Sequence, residues 1–137
     1  MTLSKQQKRR AIRDETNQEK LLNNTILNGH SIFTMSLSSH KSGDIILPHY
    51  LTVLEVKSPE TTDVFNPGHK NHINQYMNML EFTDSGMHSF YAIHYDYWEY
   101  YEVRTNPYPM RNGEGMRLNE FLKLLETFYL TPAPILI

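Results

Sequence analysis

The sequence predicts an α/β fold, with one domain of 137 residues built on a central mixed five-stranded sheet flanked by helices. Three observations predict it. Helix-periodic segments lie at both ends and in the middle of the chain, and short apolar, β-branched runs fill the intervals between them. The length suits a single domain that buries roughly two-thirds of its unfolded surface.

The first helix is predicted between residues 5 and 27, which contain neither Pro nor Gly. An incomplete apolar stripe there indicates one or two helical segments, and Asn28-Gly29 supplies a stop. Its members are Ile12, Leu21, Leu22, Ile26 and Leu27.

Five strands are expected next. "HSIFTMSL" alternates with the period of a strand that has one buried face, formed by Phe33, Met35 and Leu37. "DIIL" and "LTVLEVK", joined by Pro48-His49-Tyr50, predict a hairpin in the centre of the sheet. "HSFYAIHY" and "WEYYEVRT" predict two further strands that meet at Asp96-Tyr97.

Two more helices complete the pattern. "HINQYMNMLEFTDSG" has helical spacing with Gly86 as its stop, and residues 117–130 form an amphipathic C-terminal helix. The loop of about residues 58–71 is long enough to suggest a substrate-contacting segment. The apolar end "TPAPILI" fits either a tail packed on its own domain or an oligomer contact.

Composition excludes several classes of protein. There is no Cys, so disulfides, thiol nucleophiles and Cys-based metal sites are excluded. The charged start lacks the apolar core of a signal peptide, and no run approaches the ~18 apolar residues of a membrane span. We expect a soluble protein without membrane contact, in the cytoplasm of an archaeal or bacterial cell, or of the host if the source is viral.

The basic residues are concentrated in an N-terminal arm of about residues 1–13, although the net charge is −2. A solvated tail is one interpretation, and a phosphate-contacting arm is the other. The basic residues considered for DNA contact there are Lys8, Arg9, Arg10 and Arg13.

Two acids and a lysine interrupt the apolar runs of the predicted hairpin. Burying an ionised carboxylate costs several kcal/mol unless a positive group compensates it. Strand alternation puts Glu55 and Lys57 on one face, and antiparallel pairing brings Asp44 within reach of Glu55. Two carboxylates and the carbonyl of Val56 form a hard oxygen set suited to Mg²⁺ or Mn²⁺. The plain alternative is a solvent-facing Glu/Lys pair with Asp44 in a turn.

This constellation resembles the PD-(D/E)XK nuclease superfamily, whose motif reads here as Gly43-Asp44 followed by Glu55-Val56-Lys57, with Gly in place of the usual Pro. Over residues 8–105 the chain looks most like the archaeal and viral Holliday junction resolvases. The resemblance implies a restriction-endonuclease-like fold. It also implies metal-binding acids at Asp44 and Glu55 and a catalytic lysine at Lys57.

The resemblance suggests further site residues. The first-helix acid of the family fits Glu19, with Glu15 one turn earlier as its rival, and solvent-facing helix acids are the alternative for both. Ser38 or Ser39 resembles a loop serine that meets phosphate, with ordinary turn chemistry as the alternative. Gln75 resembles a glutamine that faces the site, with a surface amide as the alternative. The first-strand Arg of the family has no counterpart here, which leaves phosphate clamping to Lys41, Lys70 or the N-terminal arm.

The aromatic run of residues 91–101 has three interpretations: core packing, a stacking platform for unpaired bases, or a dimer contact. The expected function is a Mg²⁺- or Mn²⁺-dependent endodeoxyribonuclease that cleaves branched DNA, foremost as a homodimeric Holliday junction resolvase. The alternatives are a repair, replication or restriction nuclease of the same superfamily and a non-catalytic DNA-binding module of the same fold.

Overall fold

The computed structural model describes residues 5–6, 16–36, 44–57, 70–103 and 115–130, with side chains for all of these except 70–75. An N-terminal helical segment, residues 16–30, precedes a five-stranded sheet and two helices. The strands are β1 (Met35–Ser36), β2 (Ile45–Leu47), β3 (Thr52–Lys57), β4 (His88–His94) and β5 (Trp98–Glu102). The helices are α1 (Lys70–Asp84), between β3 and β4, and α2 (Leu118–Phe128), after β5.

The sheet is mixed, with its strands in the order β1-β2-β3-β4-β5. Only β3 and β4 pair in parallel, and the other neighbours are antiparallel. Parallel pairing needs a crossover, which α1 supplies. The predicted α/β class, the five strands and the element order are therefore confirmed.

The N-terminal helical segment widens before it ends. Residues 16–21 are α-helical, Leu22–Leu27 form a π-helix and Asn28–His30 form a 3-10 turn. The reversal occurs at Ser31, whose φ of 59° is left-handed, while the Ile32 N–H donates to the Leu27 carbonyl at 2.8 Å. The stop therefore lies two residues beyond the predicted Gly29.

The structure corrects the expected burial of β1. The strand spans only Met35–Ser36, and both residues are exposed. Phe33 is 54% and Met35 is 52% exposed, whereas Ile32, which alternation assigns to the opposite face, is buried. β1 is an edge strand that pairs with β2 alone, so no other described element covers its alternating apolar side chains.

The central hairpin matches the prediction. β2 and β3 are joined by a 3-10 turn, Pro48–Tyr50, and by Leu51, which has a φ of 48°. Every residue of β3 is buried except Lys57, which is half-buried. α1 then ends at Asp84, and Gly86 takes a φ of 97°, as expected of the predicted stop.

Two apolar clusters lie on opposite sides of the sheet. The cluster under α1, here the α1 face, contains Val53, Tyr76, Met79, Tyr91, Ile93, Tyr101 and Val103. The opposite cluster, here the α2 face, joins the N-terminal helical segment to α2 through Leu22, Leu27, Leu54, Val56, Phe90, Tyr100, Phe121 and Leu125, among others.

The aromatic run is mostly core. Tyr91, Tyr100 and Tyr101 are almost fully buried, and Trp98 is 8% exposed. Tyr97, at 40% exposed, is the one with an open ring. Packing therefore explains the buried members of the run.

None of the described helices is long and apolar enough to cross a membrane.

Candidate active site

The β2–β3 hairpin places Asp44 opposite Glu55. Ile45 pairs with Leu54 and Ile46 with Val53, so the residue before Ile45 falls across from the residue after Leu54. The Asp44 N–H donates to the Leu54 carbonyl at 2.8 Å. The Val56 N–H in turn donates to Oδ2 of Asp44 at 2.8 Å. The Asp44 carboxylate is therefore held against the backbone of β3, beside Glu55.

Glu55 and Lys57 lie on the α1 face together with Val53, because strand side chains alternate. The Lys57 ammonium is 3.6 Å from Oε1 of Glu55, and the two side chains are 13% and 9% exposed. That separation makes an ion pair but exceeds a good hydrogen bond. Lys57 therefore offsets part of the cost of burying the Glu55 carboxylate and retains donors for another group.

The three ionisable side chains carry a formal charge of −1 when all are ionised. They lie at one edge of the sheet, where β2 begins and β3 ends. In open α/β sheets, ligands bind outside the carboxyl ends of the parallel strands. The position and the charge both suit a cation held by carboxylate oxygens.

Helix α1 packs on the same face of the sheet as Glu55 and Lys57. It connects β3 to the parallel β4, and Tyr76 and Met79 belong to the cluster of the α1 face. The Tyr76 ring stacks on Tyr91 with centroids 6.4 Å apart, and Tyr91 pairs with Glu55 across β3 and β4. Gln75 precedes Tyr76 in α1, and its predicted approach to the site stays a prediction.

Two other predicted site residues lie in the described helices. Glu19 is half-buried in the N-terminal helical segment, and the backbone of Lys70 begins α1. Among the described residues, no three His, Asp or Glu side chains form a group that could hold a metal ion. The structure therefore shows a two-carboxylate set to which Glu19 does not add a third acid.

Several predicted residues lie outside the described part of the chain. They are Lys8, Arg9, Arg10, Arg13, Glu15, Ser38, Ser39 and Lys41, as is the greater part of the 58–71 loop.

A second buried acid was missed at the sequence level. Glu99 is 4% exposed on β5, and the Tyr101 hydroxyl donates to its Oε2. Glu99 pairs with Ile93, which pairs with Lys57, so the three residues form one row across the sheet. An acid inside the apolar run "YWEYYEV" is the same signal that identified Glu55.

Tyr95 extends this polar network. Burial raises the pKa of the Tyr95 phenol, with smaller increases from Glu99 and Tyr97, while a hydrogen bond with Tyr101 opposes them. The α1 face therefore combines apolar packing with two buried acids and a set of linked tyrosines.

Comparison with known proteins identifies no match. No protein-family model, curated protein or solved structure matches the chain. The side chains at the edge of β2 and β3 are therefore the basis for a functional proposal.

Proposed function

We propose that this chain is a metal-dependent endodeoxyribonuclease with a restriction-endonuclease-like fold, and that it cleaves branched DNA. The observation that carries the proposal is that Asp44, Glu55 and Lys57 lie together at one edge of the sheet. The hydrogen bond from the Val56 N–H to Asp44 locks that arrangement. Support also comes from the topology, in which an antiparallel hairpin is followed by a parallel β3-α1-β4 crossover.

The donor set fits a hard divalent cation. Asp44 and Glu55 offer carboxylate oxygens from facing strand positions, and Val56 lies between the two motif residues of β3. Carboxylate and carbonyl oxygens are the ligands that Mg²⁺ and Mn²⁺ prefer. These three residues are the proposed metal ligands.

The chemistry that Mg²⁺ or Mn²⁺ supplies in such a site is Lewis-acid activation of water and neutralisation of phosphate charge. Asp44 and Glu55 would hold the ion at the sheet edge. Lys57, kept in place by its ion pair with Glu55, would donate to the attacking water or to a phosphate oxygen. Hydrolysis forms a new P–O bond to water oxygen and breaks the bond to the 3′ oxygen, which leaves as a hydroxyl. The products are 5′-phosphate and 3′-hydroxyl ends.

The four-way junction is the proposed first substrate. Its resolution requires two symmetric incisions, which a two-fold homodimer would supply. Dimerisation is part of this proposal and is measured as the molar mass of the purified chain in solution.

The test is cleavage of a labelled four-way junction, a matched linear duplex and a flap, each with Mg²⁺ and with chelator. We expect metal-dependent, symmetric nicks in the junction. Cutting confined to the duplex or the flap would keep the nuclease and replace its substrate. Tight binding without cutting of any substrate would contradict the nuclease and favour the non-catalytic DNA-binding module.

The matching variant is Asp44→Asn, which keeps the shape of the side chain and removes its charge. Loss of several kcal/mol of transition-state stabilisation predicts a fall of about 10³-fold in cleavage rate. DNA binding should persist. The control is Glu81→Gln, which removes one charge from an exposed position on α1 and should leave the rate unchanged.

A further inference from the structure

A second concave site lies at the same edge of the sheet, beyond the carboxyl end of β4. It is an open cavity of about 390 Å³ between the β4–β5 turn and the residues that precede α2. This volume falls within the range of small-ligand sites. Its polar and aromatic lining residues are His94, Asp96, Tyr97, Trp98, Arg117 and Asn119.

Flat side chains dominate the cavity. The Arg117 guanidinium carbon lies 3.2 Å from the centroid of the Tyr97 ring, and both residues are exposed. The His94 ring stacks on Trp98 with centroids 4.7 Å apart and planes 19° apart. Aromatic rings and guanidinium planes are the surfaces on which unpaired nucleobases stack.

Arg117 is held in position for an anion. Its packing on Tyr97 orders the guanidinium, and no acid of the described residues forms an ion pair with it. Its backbone N–H donates to Oε1 of Glu120 at 3.4 Å, a bond that does not involve the guanidinium. The planar N–H edge therefore remains available to a phosphate, which it can bind in a bidentate manner.

The remaining polar groups suit a base. Asp96 would repel a phosphate placed inside the cavity, but its carboxylate can accept a ring or exocyclic N–H. Asn119 adds an amide donor and acceptor. The cavity thus favours the base, while Arg117 favours the phosphate of the same nucleotide.

The cavity shares the sheet end of the proposed active site but opens on the α2 face. Lys57 pairs with Ile93 on the α1 face, and the next residue, His94, pairs with Trp98, which belongs to the α2 face. Adjacent strands are about 4.8 Å apart, so β5 lies roughly 10 Å from β3. A DNA strand that reaches both sites must therefore pass around the carboxyl ends of β3 and β4.

We infer that this cavity is a subsite for one unpaired nucleotide of the DNA strand. The base stacks on the exposed Tyr97–Arg117 pair, beside the His94 ring that covers Trp98, and Arg117 binds its phosphate. The inference rests on the proposed function for the identity of the ligand as DNA. It favours branched DNA that carries unpaired bases, as a flap does.

Trp98 provides the readout, since it is the only tryptophan of the chain. Its fluorescence is recorded while a thymidine oligonucleotide of eight residues is added in chelator, which prevents cleavage. We expect saturable quenching. Arg117→Gln should weaken binding about tenfold, because losing a stacked contact costs ~1–3 kcal/mol per base and 1.4 kcal/mol is tenfold.

The matched control is Lys123→Gln, which removes the same charge from an exposed position on α2. It should weaken binding less than twofold. An equal loss in both variants would overturn the subsite, because the attraction would then be general electrostatics. Thymidine 5′-monophosphate serves as a second probe, and an affinity equal to that of the oligonucleotide would replace the strand subsite with a free-nucleotide site.

The two proposals fail in different ways. Unchanged Trp98 fluorescence in a protein that cleaves the junction would overturn the subsite alone. Quenching that is sensitive to Arg117, in a protein that cleaves nothing, would support the nucleotide site and remove the nuclease.

Discussion

The α1 face and the α2 face of one sheet are built from different chemistry. The α2 face is an apolar interior, where Phe121 stacks on Tyr100 at 4.0 Å and meets Phe90 edge-on at 5.2 Å. The α1 face carries the acids Glu55 and Glu99 within its packing. Buried carboxylates cost free energy that apolar side chains would not, so the α2 face is the more stabilising of the two, whereas the α1 face carries the proposed active site.

The largest effect on stability is expected from a substitution on the α2 face. Phe121 is fully buried, so Phe121→Ala removes its packing and leaves a cavity. We expect a loss of about 3–5 kcal/mol in the free energy of unfolding, measured with denaturant. The control is Met77→Ala on α1, which is 59% exposed and should change stability by less than about 0.5 kcal/mol. Equal effects of the two substitutions would refute the assignment of stability to the α2 face.

An intermediate effect on stability is expected from loss of the hydrogen bond between Tyr101 and Glu99 on the α1 face. Tyr101→Phe removes the hydroxyl that donates to Glu99 and leaves that carboxylate buried without this donor. The expected loss in unfolding free energy is about 1–3 kcal/mol. In a Glu99→Gln background the same substitution should cost less, because no charge is then left without its donor. Equal costs in both backgrounds would show that the charge of Glu99 adds nothing to this hydrogen bond.

Removal of the hydroxyl of Tyr100, on the α2 face, should affect stability in the opposite direction from its removal at Tyr101. The Tyr100 hydroxyl is buried and has no hydrogen-bond partner among the described residues. Tyr100→Phe removes this unsatisfied group, so stability at pH 8 should stay the same or rise by up to about 1 kcal/mol. A loss above 1 kcal/mol would mean that the hydroxyl has a stabilising contact.

Alkaline pH should distinguish the unaltered protein from the Tyr100→Phe variant. Burial raises the pKa of Tyr100 above its ordinary value of 10.0. Above pH 10 the unfolded phenol loses its proton while the folded one keeps it, so the unfolded state binds fewer protons and stability falls. The contribution is fully present below pH 10. Unfolding free energies at pH 8 and pH 10.5 should therefore differ less in Tyr100→Phe than in the unaltered protein.

The sequence predicted the features that depend on short-range geometry. Strand alternation and hairpin pairing brought Asp44 opposite Glu55, and Gly86 marked the end of α1 because left-handed backbone favours glycine. Both features follow from residues that are close together in the chain or in one hairpin.

The features that short-range patterns could not predict depend on tertiary packing. Alternation in "HSIFTMSL" could not reveal that β1 is a short edge strand with its predicted face open. Helical periodicity placed Glu19 on a helix, but the distance from that helix to the sheet depends on how Leu22 and Leu27 pack. Glu99 carried the same signal as Glu55, and it was overlooked because no lysine motif accompanied it.

The most direct test of the central claim measures two properties of Glu55→Gln, the free energy of unfolding and the single-turnover rate of junction cleavage with Mg²⁺. The substitution keeps the shape of a buried side chain and removes the charge that Lys57 compensates. We expect a loss of about 1–3 kcal/mol in the free energy of unfolding, because Lys57 loses its ion-pair partner while the Gln amide oxygen can still accept a hydrogen bond, together with a loss of cleavage of about 10³-fold. Full cleavage with Mg²⁺ present would contradict the proposed active site.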